Sequence, residues 1–340
     1  MWALSNQTPF PAERTFVRDR DGAEIWLMAV RGTFDLPSSG HEEAKVAKQQ
    51  LPVVLAPAFR GDPTKTSLLY DGDLPRTKVA TDVLINGSAH CRGGQPATEL
   101  MVGFSVGSVK KQLFVTGDRV VESGEIKDGA SRPSPFSVMP ITYEKAFGGS
   151  VTDKSNPSQS RREDRNPVGI GMDTKVGARL PNISYSGELP RPGTRLRPAG
   201  FGAVAAHWAP RVSLAGTYDS KWKKERQPLV PGDFDDRYFQ SAPEDQQVHG
   251  FLRGGEEVIL SNLSPEGTLR FRLPRLTFGF ITQIGGEIVN HRVNMHTVII
   301  EPDQRRLIMV CHTSLPCHHT LYSLKETRIV LKERVEKGEM

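Results

Sequence analysis

Between Pro198 and Gln247 the chain reads PAGFGAVAAHWAPRVSLAGTYDSKWKKERQPLVPGDFDDRYFQSAPEDQQ, and this stretch restricts most what the whole can become. It carries Phe201, Trp208, Tyr218, Trp222, Phe234, Tyr238 and Phe239, yet proline or glycine interrupts it every few residues. Proline removes a backbone donor and clashes with a helical turn, so no long helix survives here, and no alternation of period two marks a strand. Large apolar side chains without regular structure belong packed over a core, with side chains satisfying the backbone groups that a ladder would otherwise pair. Asp219, Asp233, Asp235, Asp236 and Asp245 supply acceptors, and Arg211, Arg226 and Arg237 can pair with them. Trp208, Tyr218, Trp222, Arg226, Phe234, Asp235, Arg237 and Phe239 are therefore the candidate structural or partner-binding residues. Trp222 and Arg237 are expected to act on stability first.

Around this stretch the pattern is that of strands and turns. Arg14 to Leu36 reads as a hairpin turning at Asp19 to Gly22, and Glu99 to Arg119 as a second one turning at Gly107 and Ser108. Leu51 to Ala58, Thr81 to Ala89 and Phe136 to Ala146 read as extended, and a helical turn is expected around Glu42 to Lys48. Beyond the central stretch, Glu256 to Asn262, Gly267 to Leu273, Leu276 to Ile284, Glu287 to Ile300, Arg305 to His312 and Thr320 to Lys332 read as successive strands. Helix is expected only at Asp219 to Arg226 and at Ala203 to Trp208. The expected architecture is mainly β: antiparallel, sandwich-like sheets joined by a long irregular segment, with few short helices. Its parts are a β region over 1–150, the irregular connection over 151–250 and a β region over 251–340, which could also form one continuous domain.

The 340 residues include 32 Gly and 25 Pro, which favours turns over a helical bundle. The net charge of +5 is spread through mixed runs such as KETRIVLKERVEKGE, without the basic stripe that nucleic acid requires. No apolar run approaches the ~20 residues of a membrane span, and MWALSNQTPFPAER lacks the blocks of a signal peptide. A cytoplasmic protein without membrane insertion is expected. Three cysteines, Cys91, Cys311 and Cys317, suit a reducing compartment.

Several constellations imitate chemistry. GFSVG (Gly103 to Gly107) matches the nucleophile elbow with Ser105 as nucleophile, but the elbow needs a helix after the serine and a strand-like run follows here. His291, His296, Cys311, His312, Cys317, His318 and His319 crowd one region, yet Cys311 and Cys317 lack the close spacing of structural zinc ligands. Cys311 shares its strand phase with Leu307 and Met309, as a core cysteine would. NPVGIG (Asn166 to Gly171) lacks the third glycine of a dinucleotide loop, and Arg161, Arg162 and Arg165 are interleaved with Glu163 and Asp164. Asp233 and Asp235 share a face as an acid and base pair might, but each is also placed to cap a turn. No cofactor or metal is expected.

The run AGTYD (Ala215 to Asp219), Trp222, Arg226, Pro228, Pro231, DFD (Asp233 to Asp235), Arg237, Phe239, Ala242, Pro243, Asp245 and Gln246 resembles a bacterial family known as domain of unknown function 2169. TPF (Thr8 to Phe10), Trp26 with GTF (Gly32 to Phe34), Ser67 to Tyr70, TDV (Thr81 to Val83), GDR (Gly117 to Arg119), AFGG (Ala146 to Gly149), NPVGIG, Pro181 with Asn182 and PAGFG (Pro198 to Gly202) follow the family's other signatures in order, over about residues 1 to 275. The resemblance implies a chaperone or adaptor that loads a type VI secretion effector toxin onto a secreted spike protein of the VgrG or PAAR type, with no catalytic residue to carry over. A hydrolase built on Ser105 is the alternative.

Overall fold

The computed structural model describes residues 2–38, 40, 42–123, 129–153, 155–317 and 321–332. Its centre is a six-stranded sheet in which Glu24–Asp35 lies between Ala12–Arg18 and Arg306–Pro316, followed by Asn294–Glu301 and Asp82–Ile85, with Lys45–Val46 added to Glu24–Asp35. A five-stranded sheet runs Ile183–Tyr185, Val109–Thr116, Glu99–Val106, Glu257–Ser261, Thr268–Arg272. A four-stranded sheet runs Ala3–Asn6, Leu324–Leu331, Phe278–Ile284, Glu287–His291. Pairing is antiparallel in the main; Ala3–Asn6 on Leu324–Leu331 and Asp82–Ile85 on Asn294–Glu301 are parallel. The fold is mainly β, as the turn-rich composition requires. In each of the three sheets, strands from the first 150 residues pair with strands from beyond residue 250.

Alternation along the central strands shows why this sheet reads as nearly continuous apolar runs. Val298, Ile300, Leu307, Met309 and Cys311 face the main core, where residues of all three sheets meet. Ile299, Ile308 and Val310, between them, face a second core against Val53, Leu68, Tyr143, Ala203, Val204, Ala205 and Trp208. A strand buried on both faces loses its polar alternation. One face of the sheet is therefore closed by other sheets, and the opposite face by irregular chain.

Local differences from expectation have local causes. Ala203 to Trp208 is extended and turning, because its small side chains lie flat against the sheet. Around Glu42 to Lys48 no helix forms; Lys45 and Val46 pair with Asp35 and Phe34 instead. Thr81 to Ala89 divides at Asn86 and Gly87, since Ser88–His90 leaves the central sheet to pair with Val138–Pro140. Glu287 to Ile300 likewise divides at Arg292 and Val293 between two sheets. The strand from Arg306 runs on past His312 to Pro316. The helix Ser220–Glu225 forms as expected, with Asp219 accepting from the Trp222 amide at 2.8 Å.

The glycines of AFGG and NPVGIG pack against each other. A Cβ on Gly149, whose φ is +87°, would stand 2.4 Å from the Gly169 carbonyl oxygen, and one on Gly169 would meet the Ala146 oxygen at 2.6 Å. Buried Asn166 fastens this crossing, its Nδ2 donating to the Tyr143 and Phe147 carbonyls at 2.8 and 3.0 Å. Backbone blocks the added atom and the φ is unfavourable, so Gly149→Ala is expected to lower unfolding free energy by roughly 3 kcal/mol. Chemical denaturation checks this; a loss under about 1 kcal/mol would show that the crossing yields.

Candidate partner-binding layer

The stretch from Pro198 to Gln247 is the irregular chain that closes the second core, and it has an inner and an outer part. On the inner side, Trp208 is 1% exposed and meets Tyr143 edge-on at 5.6 Å between ring centroids. Gln246 Nε2 donates to the Val83 and Phe201 carbonyls, so a side chain replaces the ladder partner that this segment lacks. Buried Arg211 bonds the Val204 and Tyr238 carbonyls and pairs with Asp71 at 2.9 Å. Lys111, also buried, contacts Asp245 and Gln246 at 2.9 and 2.8 Å, and burial pulls its pKa down to about 8.

Val212 to Phe239 form the outer part, a lobe of short helical turns. Phe234 is buried against Tyr238 and Phe239 at 5.4 and 5.6 Å, and Arg76 lies over the Phe234 and Phe239 rings while pairing with Asp236. Gly216, at φ +81°, passes so close to Asp233 and Pro231 that a Cβ would meet them at 2.8 and 2.9 Å. Asp233 takes the Thr217 amide and hydroxyl, which hold its carboxyl below the usual range. Asp235 caps the turn Asp236–Phe239 and pairs with Arg237, whose guanidinium holds the Asp235 carboxyl low in turn. These two aspartates are thus turn residues bound within the lobe.

Two expectations change here. Arg226 bonds the carbonyls of Val230 and Arg20, not a carboxylate. Arg237 is exposed, with 64% of its side-chain surface open to solvent, so its pair with Asp235 stabilises little and it cannot dominate stability. The partners that the sequence did not announce are Arg20 and Gly22, at the tip of the first hairpin. Arg20 donates to the Phe234 carbonyl and accepts from Arg226, while Gly22 faces Leu229. Only the unusual density of charge in Arg18 to Asp21 hints at that docking.

What the lobe leaves open is specific. Tyr218 is 55% exposed and meets Trp222 edge-on at 4.7 Å; Trp222 is half-buried and donates to the Leu229 carbonyl. Next to Trp222 in sequence, Lys221, Lys223 and Lys224 are exposed on Ser220–Glu225; elsewhere in the lobe Val212 is 47% exposed.

The remaining constellations resolve into structure. Ser105 sits within the strand Glu99–Val106, paired opposite Lys110 and Ile259, so strand, turn and strand surround it rather than an elbow. His296 and His312 stack at 4.3 Å, and Cys311 faces the core with Leu307 and Met309. No described residues form a group of three or more metal-ligating side chains; His318 and His319 lie outside the described residues. No described helix is long and apolar enough to cross a membrane.

Fold and layer together define a large mainly β protein whose signature stretch is a packed cover bearing an aromatic, lysine-rich outer lobe. The chain belongs to the family described as uncharacterized protein conserved in bacteria (DUF2169), whose model matches residues 21–312. That match extends past the signatures near residue 275 into the strand from Arg306, and leaves TPF at Thr8 to Phe10 outside. No curated protein and no solved structure matches the chain.

Proposed function

We propose that this protein is a non-catalytic, cytoplasmic adaptor that holds a type VI secretion effector toxin and presents it to the spike, as the resemblance of its signatures implies. The observation that supports this reading is the Tyr218 and Trp222 pair on the outer lobe, with exposed lysines next to Trp222 in sequence. That lobe is fixed in place by capping carboxylates, by carbonyl contacts from Arg226 and Arg20, and by the buried inner layer. An amphipathic ring held on a rigid base has little entropy to lose on binding, and aromatic side chains of this kind anchor protein interfaces. The lysines suit an acidic partner surface.

Affinity purification from the native host is expected to recover an effector and a spike component. Tyr218→Ala should melt like the parent and recover the effector at least about tenfold less well, the cost of losing one anchor. Normal effector abundance and secretion in a deletion strain would overturn the proposal. A Tyr218→Ala protein that binds undiminished would move the contact away from this lobe.

A further inference from the structure

A second surface lies outside the signature stretch. Glu287–His291 is the last strand of the four-stranded sheet and pairs only with Phe278–Ile284. Among the described residues no further backbone hydrogen bond reaches its outer edge, and Ile288 on it is 69% exposed. Where this strand ends, at His291, a cleft of about 580 Å³ begins. Leu252, Phe278, Met295 and Cys311 give it an apolar floor, and exposed Arg253 and Arg292 stand on its walls. No carboxylate lines it, and neither arginine has an ion-pair partner among the described residues.

His291, which also lines the cleft, is held from inside by a chain of hydroxyls. Its Nδ1 is buried without a partner, and its Nε2 lies 2.7 Å from the Thr282 hydroxyl. That hydroxyl is 2.6 Å from the Thr327 hydroxyl, which accepts from Trp26 Nε1 at 3.0 Å. An indole nitrogen only donates. The arrangement that leaves no hydroxyl proton idle therefore runs from Trp26 to Thr327, to Thr282, to His291 Nε2. It places the imidazole proton on Nδ1, which is closed to solvent.

We propose that the edge of Glu287–His291 and this cleft together bind an extended acidic segment of a partner protein. The segment adds a strand to the free edge and sets a glutamate or aspartate side chain against Arg253 and Arg292. Backbone pairing supplies affinity, and the cationic cleft chooses the sequence. The inference rests on the protein-binding reading only for the class of occupant, and it concerns residues outside the outer lobe.

The test is fluorescence anisotropy on the purified full-length chain at low salt, with a labelled, C-terminally amidated peptide of alternating valine and glutamate. Binding is expected with a Kd of about 1–100 µM. A valine and lysine peptide, and the R253E/R292E variant, should each bind at least about tenfold more weakly. The acidic peptide N-methylated along its backbone should not bind, since it cannot pair as a strand. Both arginines are exposed, so R253E/R292E should keep the parent melt; if it does not fold, R253Q/R292Q replaces it. No binding of the acidic peptide at about 1 mM would overturn the proposal. Equal binding of the N-methylated peptide, or binding unchanged by charge reversal, would also overturn it. Self-association of the parent that R253E/R292E abolishes would assign the surface to a second copy of this chain, and overturn it too. Recovery of the effector from the host depends on none of these outcomes, so the adaptor reading and this one fail separately.

Discussion

Asp82→Ala is expected to lower the unfolding free energy by about 3–5 kcal/mol, because it strands a buried charge. Asp82 is fully buried, and its carboxylate accepts from Lys78 Nζ at 2.5 Å, Gln240 Nε2 at 2.8 Å, and the Ser241 amide and hydroxyl at 2.7 and 3.1 Å. Removing it leaves Lys78, whose side chain is 4% exposed, with the Thr297 hydroxyl alone, and releases Gln240 and Ser241. Those two residues are where the irregular layer is joined to the edge strand of the central sheet, so the signature TDV acts directly on the signature stretch. The expected result is a large drop in the urea midpoint, read by tryptophan fluorescence. Replacing both ions, as in the Lys78→Met and Asp82→Leu double variant, should recover only the part of the loss due to the unpaired ammonium, since the Ser241 amide and hydroxyl still lack their acceptor. A cost below about 1 kcal/mol for Asp82→Ala would show that the junction does not depend on this carboxylate.

The second large effect is acid sensitivity centred on His296 and His312. Both are buried and stacked on each other, with Phe251 stacked on His296 at 5.7 Å. Burial holds the His296 pKa well below its ordinary value and that of His312 down to about 3, with Lys78 adding repulsion to both and the Pro75 carbonyl partly opposing it at His312. Folding therefore keeps both rings neutral, while the unfolded chain takes up protons near pH 6.5. The unfolded state binds more protons below that point, so the stability these rings allow is full above about pH 6.5 and declines as the pH falls towards the folded values. Two protons correspond to about 3 kcal/mol per pH unit. Denaturation between pH 7 and 5 should show this slope, in a window above the titration of carboxylates such as Glu163, which Arg165 holds down to about 2. The H296F/H312F variant keeps the stacked rings and should reduce the slope, leaving the part that belongs to His291, whose pKa burial lowers to about 4. A parent profile that is already flat over this range would sink the prediction.

How much of this could be read from residues alone depends on how far apart the partners lie. Hairpins such as Arg14 to Leu36 were legible because turn and alternation are local, and so was the Asp219 cap. Sheet membership was not legible. Asp82–Ile85 and Ser88–His90 look like one strand, and only distant partners, Asn294–Glu301 for one and Val138–Pro140 for the other, divide them. In the candidate layer, residue type announced aromatic packing and capping. Exposure separated Arg237 from Arg211, and no spacing rule distinguishes a buried arginine from a solvated one. Arg226 was read with carboxylates because charge suggests charge, but at this lobe the available acceptors are carbonyls brought in by the first hairpin. The free edge at Glu287–His291 stayed hidden because an edge is defined by what fails to pair.

The pairing of Glu24–Asp35 with Arg306–Pro316 has a consequence for the order of events on the ribosome. Glu24–Asp35 carries Trp26 to Phe34 almost wholly buried, yet the neighbour that covers one of its edges is translated last among the central strands. At ~5–20 residues per second that neighbour emerges roughly 15–50 s later, far longer than a hairpin needs to form. The nascent chain must spend that interval with an open edge of high β propensity. Its early hairpin, closed at one end by the Asp19 to Gly22 turn, keeps one edge unpaired through that interval. The central sheet is thus completed from a segment made at the far end of the chain, and its aggregation hazard is set by synthesis time rather than by the finished fold.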